Sequence, residues 1–165
     1  MLRPPLLLAL ALAACAPAIP AAAPAPVFDP LVFFEGRTEG RARLKIILRA
    51  SRAVHVEGRG RLEPDGALIL DQVVAREGKP ATARRWRIAR TGPGRYAATL
   101  TDAVGPVRVA VAGNRLHLAF TMKGGVATEQ WLTLAPNGRS AENLLVARKF
   151  GVVVARLTET IRKLD

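Results

Sequence analysis

Along much of this chain apolar and polar side chains alternate with a period of two. Val54, Val56, Gly58, Gly60 and Leu62 alternate with His55, Glu57, Arg59 and Arg61. Tyr96, Ala98 and Leu100 alternate with Arg95, Ala97 and Thr99, and Val107, Val109 and Val111 with Arg108 and Ala110. Leu116, Leu118, Phe120 and Met122 alternate with Arg115, His117 and Thr121. Successive strand side chains point to opposite faces, so each run predicts a strand with one buried face. Turn sequences separate the runs: Pro64-Asp65-Gly66, Glu77-Gly78-Lys79, Thr91-Gly92-Pro93-Gly94, Gly113-Asn114, Lys123-Gly124-Gly125 and Pro136-Asn137-Gly138. The segments 141–147 and 158–163 also fit helical turns, but strands fit the spacing of the whole. Short strands joined in order by hairpins make an antiparallel meander, and closing it removes exposed edges. The expected fold is all-β: an up-and-down barrel or strongly curved half-barrel of about 8–10 strands.

The first thirty residues have a different pattern. Met1-Leu2-Arg3 is followed by an apolar run from Leu6 to Leu12 and then by Leu12-Ala13-Ala14-Cys15. The run is too short to span a bilayer and has the form of a removable secretory signal. Cys15, the single cysteine, stands where a bacterial lipoprotein signal places the thiol that receives a diacylglyceryl group. A plain signal peptide cut at one of the alanines is the other reading. Burial of acyl chains is worth about 0.8 kcal/mol per CH₂, so two or three chains anchor a protein durably. The segment that follows is almost entirely Ala and Pro, which favours a semi-rigid polyproline II spacer. Three units are expected: residues 1–14 as signal, 15–30 as acylated cysteine and tether, and 31–165 as one barrel domain. Ala16 in place of an aspartate favours sorting to the outer membrane, facing the periplasm of a Gram-negative bacterium.

Charge and chemistry alter this picture only slightly. The formal net charge is +12, dominated by arginine, but the arginines are dispersed among strands rather than clustered with aromatic residues. No nucleic-acid motif accompanies them. They read as a solvated face, as an attraction for the anionic phosphates of lipids, or, if some of Arg85, Arg87, Arg95 and Arg108 face inward, as partners for a ligand carboxylate. His55 and His117 are isolated in sequence, which offers no metal-ligand spacing. Ser51 and Ser140 are the only serines, and neither stands in a nucleophile elbow. Asp102 fits a turn role better than that of a base. No enzyme activity, cofactor or metal is expected. Interior positions of a small barrel either fill it or line a pocket. Trp86 and Trp131 are the candidate walls, with Tyr96, Phe120, Arg85 and Arg108 as further ligand-binding candidates. Gly58, Gly60, Ala97, Ala98, Ala110 and Ala112 are positions that leave room.

An ordered set of short segments carries a family resemblance: Phe33-Phe34-Glu35-Gly36, Arg85-Trp86, Tyr96, Asp102-Ala103-Val104-Gly105, Gly113-Asn114, Trp131 and Lys149-Phe150-Gly151. In these the chain resembles the proteobacterial lipoproteins of domain of unknown function 3833, which implies a lipocalin-like barrel. It departs from the family pattern at Glu129-Gln130, in place of paired aspartates, and at Asn143-Leu144-Leu145. The expected function is that of an outer-membrane lipoprotein binding or carrying a small apolar ligand such as a fatty acid or modified lipid. The alternatives are a structural or interaction lipoprotein of the envelope, with a protein partner, and a lipid-modifying enzyme using Asp102, Glu129 or a histidine.

Overall fold

Ten antiparallel strands follow one another around a closed barrel, each bonded to its sequence neighbours and the last to the first. The structure is a computed structural model and describes residue 19 and residues 21–165. A five-residue helix, α1 (Pro30–Phe34), precedes the strands β1 (Gly36–Ile46), β2 (Arg52–Leu62), β3 (Leu68–Arg76), β4 (Thr82–Gly92) and β5 (Arg95–Leu100). They continue as β6 (Ala103–Ala112), β7 (Arg115–Met122), β8 (Val126–Leu134), β9 (Ser140–Lys149) and β10 (Val152–Lys163). The expected up-and-down barrel is present and closed, and the segments 141–147 and 158–163 are strands. β1 and β10 pair from Thr38 opposite Lys163 to Ile46 opposite Ala155, which leaves no free edge to template association.

Alternation places even-numbered residues of β1 to β4 inside. Val54, Val56, Leu68, Leu70, Trp86 and Ile88 are all buried, while Arg59, Arg61, Arg85 and Arg87 between them are exposed. The ladder is imperfect where β6 joins its neighbours: β5 and β6 pair only at Ala98 opposite Val107, and β6 slips register against β7 between Val104 and Arg108. Gly105 and Pro106 lie in this stretch, and proline has no N–H to give to a ladder.

One end of the barrel, the base, is plugged. Asp29 caps α1 by accepting from Leu31 N–H at 3.0 Å, and Pro30 starts the helix with a fixed φ. The helix buries Leu31, Phe33 and Phe34. Phe28, before it, has no exposed surface, and its ring lies 5.2 Å from that of Phe33 and 6.4 Å from that of Phe34. The chain leading to the plug is strapped to the β6–β7 hairpin. Phe28 N–H donates to Gly113 O at 2.8 Å, Asn114 N–H donates to Ala23 O at 2.8 Å, and Ala23 N–H donates to the Asn114 side chain at 2.7 Å. The tether expected through residue 30 is therefore part of the folded domain from Ala23 onward. Burial of Phe28 outweighs the tendency of the surrounding prolines to stay solvated. The expected signal and Cys15 lie outside the described residues.

All ten strands, the plug and its strap fall within residues 21–165, so this part of the chain contains the complete barrel closure and core and folds as a unit. Phe28→Ala removes a fully buried ring, and a cost of about 3–5 kcal/mol is expected. Urea unfolding of residues 21–165 measures it; an unchanged midpoint refutes the plug as a source of stability.

Candidate functional site

The interior has two chemically distinct parts. From the plug to mid-barrel one apolar cluster runs through Phe28, Phe33, Leu68, Trp86, Leu116 and Leu132, among others, without a charged member. Toward the opposite end, where the β1–β2, β3–β4 and β9–β10 hairpins turn, the inward side chains become polar and then form a second, smaller apolar cluster of Ala42, Val54 and Val56 with Leu44, Val74 and Leu157 packed against them. Leu44, Val74, Arg84, Met122 and Leu157 face inward but are only half-buried, so this end, the mouth, is open to solvent. Between core and mouth lies a belt of buried polar residues: Thr38, Gln72, Thr128, Gln130, Asn143 and Glu159.

Register builds the belt. Thr38 stands opposite Gly58, Gly58 opposite Gln72 and Gln72 opposite Arg84, while on the other side of β1 Asn143 of β9 stands opposite Glu159 of β10. Two glycines make room for these groups. A Cβ on Gly58 would fall 2.3 Å from Thr38 Oγ1, and one on Gly40 2.1 Å from Glu159 Oε1. Gln72 organises one side: its Oε1 accepts from Arg84 Nε at 2.8 Å and from Trp86 Nε1 at 3.0 Å. On the other side Asn143 Nδ2 donates to Glu159 Oε2 at 2.9 Å, and Asn143 Oδ1 is buried with no partner among the described residues.

Arg84 is the decisive group. Its bond to Gln72 uses only Nε, and among the described residues no carboxylate lies within ion-pair distance. Burial lowers its pKa, and Glu159 and Asp102 oppose that effect through space. Arginine has ample margin to remain charged. Glu159 responds in the complementary way: burial raises its carboxyl pKa, against the Asn143 bond and the Arg84 charge. The belt thus holds a guanidinium with its terminal nitrogens unengaged, an acceptor without a donor, and an acid biased toward its neutral form. That combination receives an anion bearing a neighbouring hydrogen-bond donor.

The sequence-derived candidates fall in three places. Trp86 and Phe120 face inward and pack edge to face at 5.6 Å, so they form the floor beneath the belt. Tyr96 lies at the base, donating to Asp29 at 3.2 Å beneath the Arg90 guanidinium at 5.0 Å. Arg85, Arg108 and Trp131 are on the outer wall: Arg85 pairs with Asp71 at 2.5 Å, and Trp131 stacks on His117 at 5.0 Å. Arg87 and Arg95 are also exposed, and the inward arginine is Arg84. Of the positions expected to leave room, Gly58 and Ala98 face in, Gly60 is occupied by the Phe34 carbonyl, and Ala97, Ala110 and Ala112 are outside. Asp102, Glu129 and the two histidines, the candidates for a catalytic reading, do not converge. His117 and Glu129 pair at 3.3 Å on the outer wall, His55 bonds Glu39 at 2.9 Å, and Asp102 lies at the β5–β6 turn. Parity was the signal for the missed residues: Arg84 shares the face of Trp86 and Ile88, and Glu159 that of Ile161.

Because Glu159 is raised in the folded protein, its contribution is fully present below the ordinary carboxyl value and is lost as pH rises through the folded one. Stability of residues 21–165 is expected to decline across that window above the unfolded value, and Glu159→Gln to remove that component of the decline. Urea midpoints of the two proteins from pH 4 to 8 test this, and parallel curves refute it.

The comparisons agree with this architecture. A family model described as a protein of unknown function, DUF3833, matches residues 9–163. No curated protein matches the chain. Among solved structures, the S-type phycobiliprotein lyase CPES from Guillardia theta superposes with a TM-score of 0.66 at 6% identity, over 82% of this chain and 90% of that one. That likeness is one of fold, a lipocalin-like barrel. With the family match spanning all ten strands and the plug, the chain belongs to the DUF3833 family.

Proposed function

We propose that this protein is a binding lipoprotein of the Gram-negative cell envelope, acylated at Cys15 and facing the periplasm from the outer membrane, that holds a small amphipathic acid such as a fatty acid or modified lipid. The observation that carries the ligand reading is Arg84: a half-buried, inward guanidinium just below the mouth with no carboxylate in ion-pair contact among the described residues. The acid's head group replaces the missing partner in a charge-assisted pair, and the alkyl chain lies toward the mouth against Leu44, Val74, Met122 and Leu157. Partial burial of the Arg84 charge costs desolvation that Glu159 and Asp102 offset only through space, and a bound carboxylate in direct contact lowers that cost. The location rests on the Leu12-Ala13-Ala14-Cys15 sequence and on its short apolar run.

The reading is non-enzymatic. The solved neighbour's name as a lyase bears on that protein, and the groups named for a lipid-modifying reaction, Asp102, Glu129, His55 and His117, are dispersed between the outer wall and one turn. A second reading, an interaction protein of the envelope that takes no ligand, is favoured by the densely filled lower half and by the His117–Trp131 stack presented outward.

Native mass spectrometry of residues 21–165 offered palmitic acid and its methyl ester separates the readings. A one-to-one complex with the acid is expected, at least tenfold weaker with the ester, and Arg84→Met should reduce the acid to the level of the ester. If neither molecule binds, the interaction reading replaces this one.

A further inference from the structure

The two most exposed large apolar side chains of the described barrel occur side by side at its mouth. Leu48, in the β1–β2 hairpin, is 98% exposed, and Phe150, in the β9–β10 hairpin, is 94% exposed. β1 and β10 are neighbours in the barrel, and Ile47 N–H donates to Val154 O at 2.9 Å, so the two hairpins stand together. Ile47 and Val152 are exposed next to them. Leu48 and Phe150 are also the only non-glycine residues with positive φ among the described residues, at 58° and 50°. Neither residue type favours that region, in which asparagine and glycine are the usual occupants. Two turns that accept a backbone penalty and expose a large apolar group as well are poorly explained by folding alone.

The surrounding charge identifies what the tip fits. Arg43, Lys45, Arg49 and Arg52 flank Leu48, and Lys149 and Arg156 flank Phe150, with no acidic residue in 43–53 or 146–158; Arg148, next to Lys149, is paired across the sheet with Glu129 at 2.9 Å, and Arg52 donates to Glu77 O at 3.1 Å. The Lys149 ammonium lies 5.7 Å from the Phe150 ring centre, and Lys45 is turned back onto Arg49 O at 2.6 Å, so the cations form a collar just behind the apolar points. Apolar residues leading and a ring of Lys and Arg behind is the arrangement that enters a bilayer interface, the rings passing the head groups and the cations remaining at the phosphates. A second protein chain would need acceptors matched to individual arginines, whereas a sheet of lipid phosphates satisfies the collar in any rotation.

From this we infer that the paired hairpins at the mouth are a docking tip for an anionic lipid surface. Docking there sets the open end of the barrel on the membrane, and a lipid ligand then passes between the bilayer and Arg84 without crossing bulk water. The tip is independent of Arg84 and of the Cys15 anchor. The strapped segment from Ala23 joins the barrel at the base, the end opposite the tip.

Residues 21–165, which lack the anchor, are to be sedimented with vesicles of phosphatidylglycerol and phosphatidylcholine mixed one to one, and with pure phosphatidylcholine. Binding to the anionic vesicles at least tenfold tighter than to the neutral ones, and weakening as sodium chloride is raised, is expected. The double variant Leu48→Asn, Phe150→Asn suits the left-handed turns, so its thermal midpoint should equal or exceed that of the parent while vesicle affinity falls at least tenfold. Undiminished binding by that folded variant overturns the inference, since the basic outer wall would then suffice. So does failure of the parent to bind anionic vesicles, or a parent dimer in sedimentation velocity that the variant converts to monomer. Loss of palmitate binding with vesicle binding intact would sink the ligand reading and leave the tip standing.

Discussion

Closure of β10 onto β1 is the constraint from which the rest of this structure follows. An open meander of ten strands would expose two rows of unpaired backbone groups, and pairing the termini removes both at once. Closure also turns the alternation of each strand into a division of space: one parity lies inside a common volume and the other faces water. A side chain's parity then sets its environment, and a single position of slippage would exchange the two faces. The break at β6, with one paired position to β5, is tolerated because the ladders on either side keep the ring closed.

Within that volume the chain is not uniform. The plug from Phe28 to Phe34 fills the base with aromatic rings, and Leu68, Leu116 and Leu132 complete a core of ordinary packing. Above Trp86 the pattern changes to glutamine, threonine, asparagine, arginine and glutamate, with glycine at positions 40 and 58 where larger residues would collide. Polar groups in such numbers do not stabilise a core. Burying Arg84 and Glu159 without direct contact costs desolvation that their through-space attraction only partly offsets. A belt of this kind is understandable as a receptor, whose unmet hydrogen bonds are the binding energy. The same division explains the two ends of the molecule. The base is sealed by the strap, while the mouth carries half-buried apolar walls and two exposed hairpin points in a collar of cations.

Much of the fold was legible because period-two alternation is a local property that closure does not alter. The runs around Val54, Tyr96, Val107 and Leu116, with their intervening glycine turns, mark strands and hairpins wherever the chain is placed. Less of the candidate site was legible. Trp86 and Phe120 were recognisable as interior because they share the parity of apolar neighbours. Trp131 and Arg85 were drawn toward the site by residue type, and parity places them outside. Arg84 was hidden among four arginines in a short stretch, distinguishable only by counting from Ile88.

By itself the sequence determined the class of structure, its strand number to within one or two, the direction of most side chains and the basic character of the outer wall, since each depends on spacing along the chain and on composition. Only the tertiary structure decided that the Ala/Pro segment folds into the domain from Ala23, because that depends on a place for Phe28 between α1 and the sheet. It also decided that Gln72, Arg84, Asn143 and Glu159 share one interior, and that Leu48 and Phe150 share one tip. These residues come from strands or turns separated by up to about a hundred positions, and shear in the closed barrel, which no local pattern records, sets which of them meet.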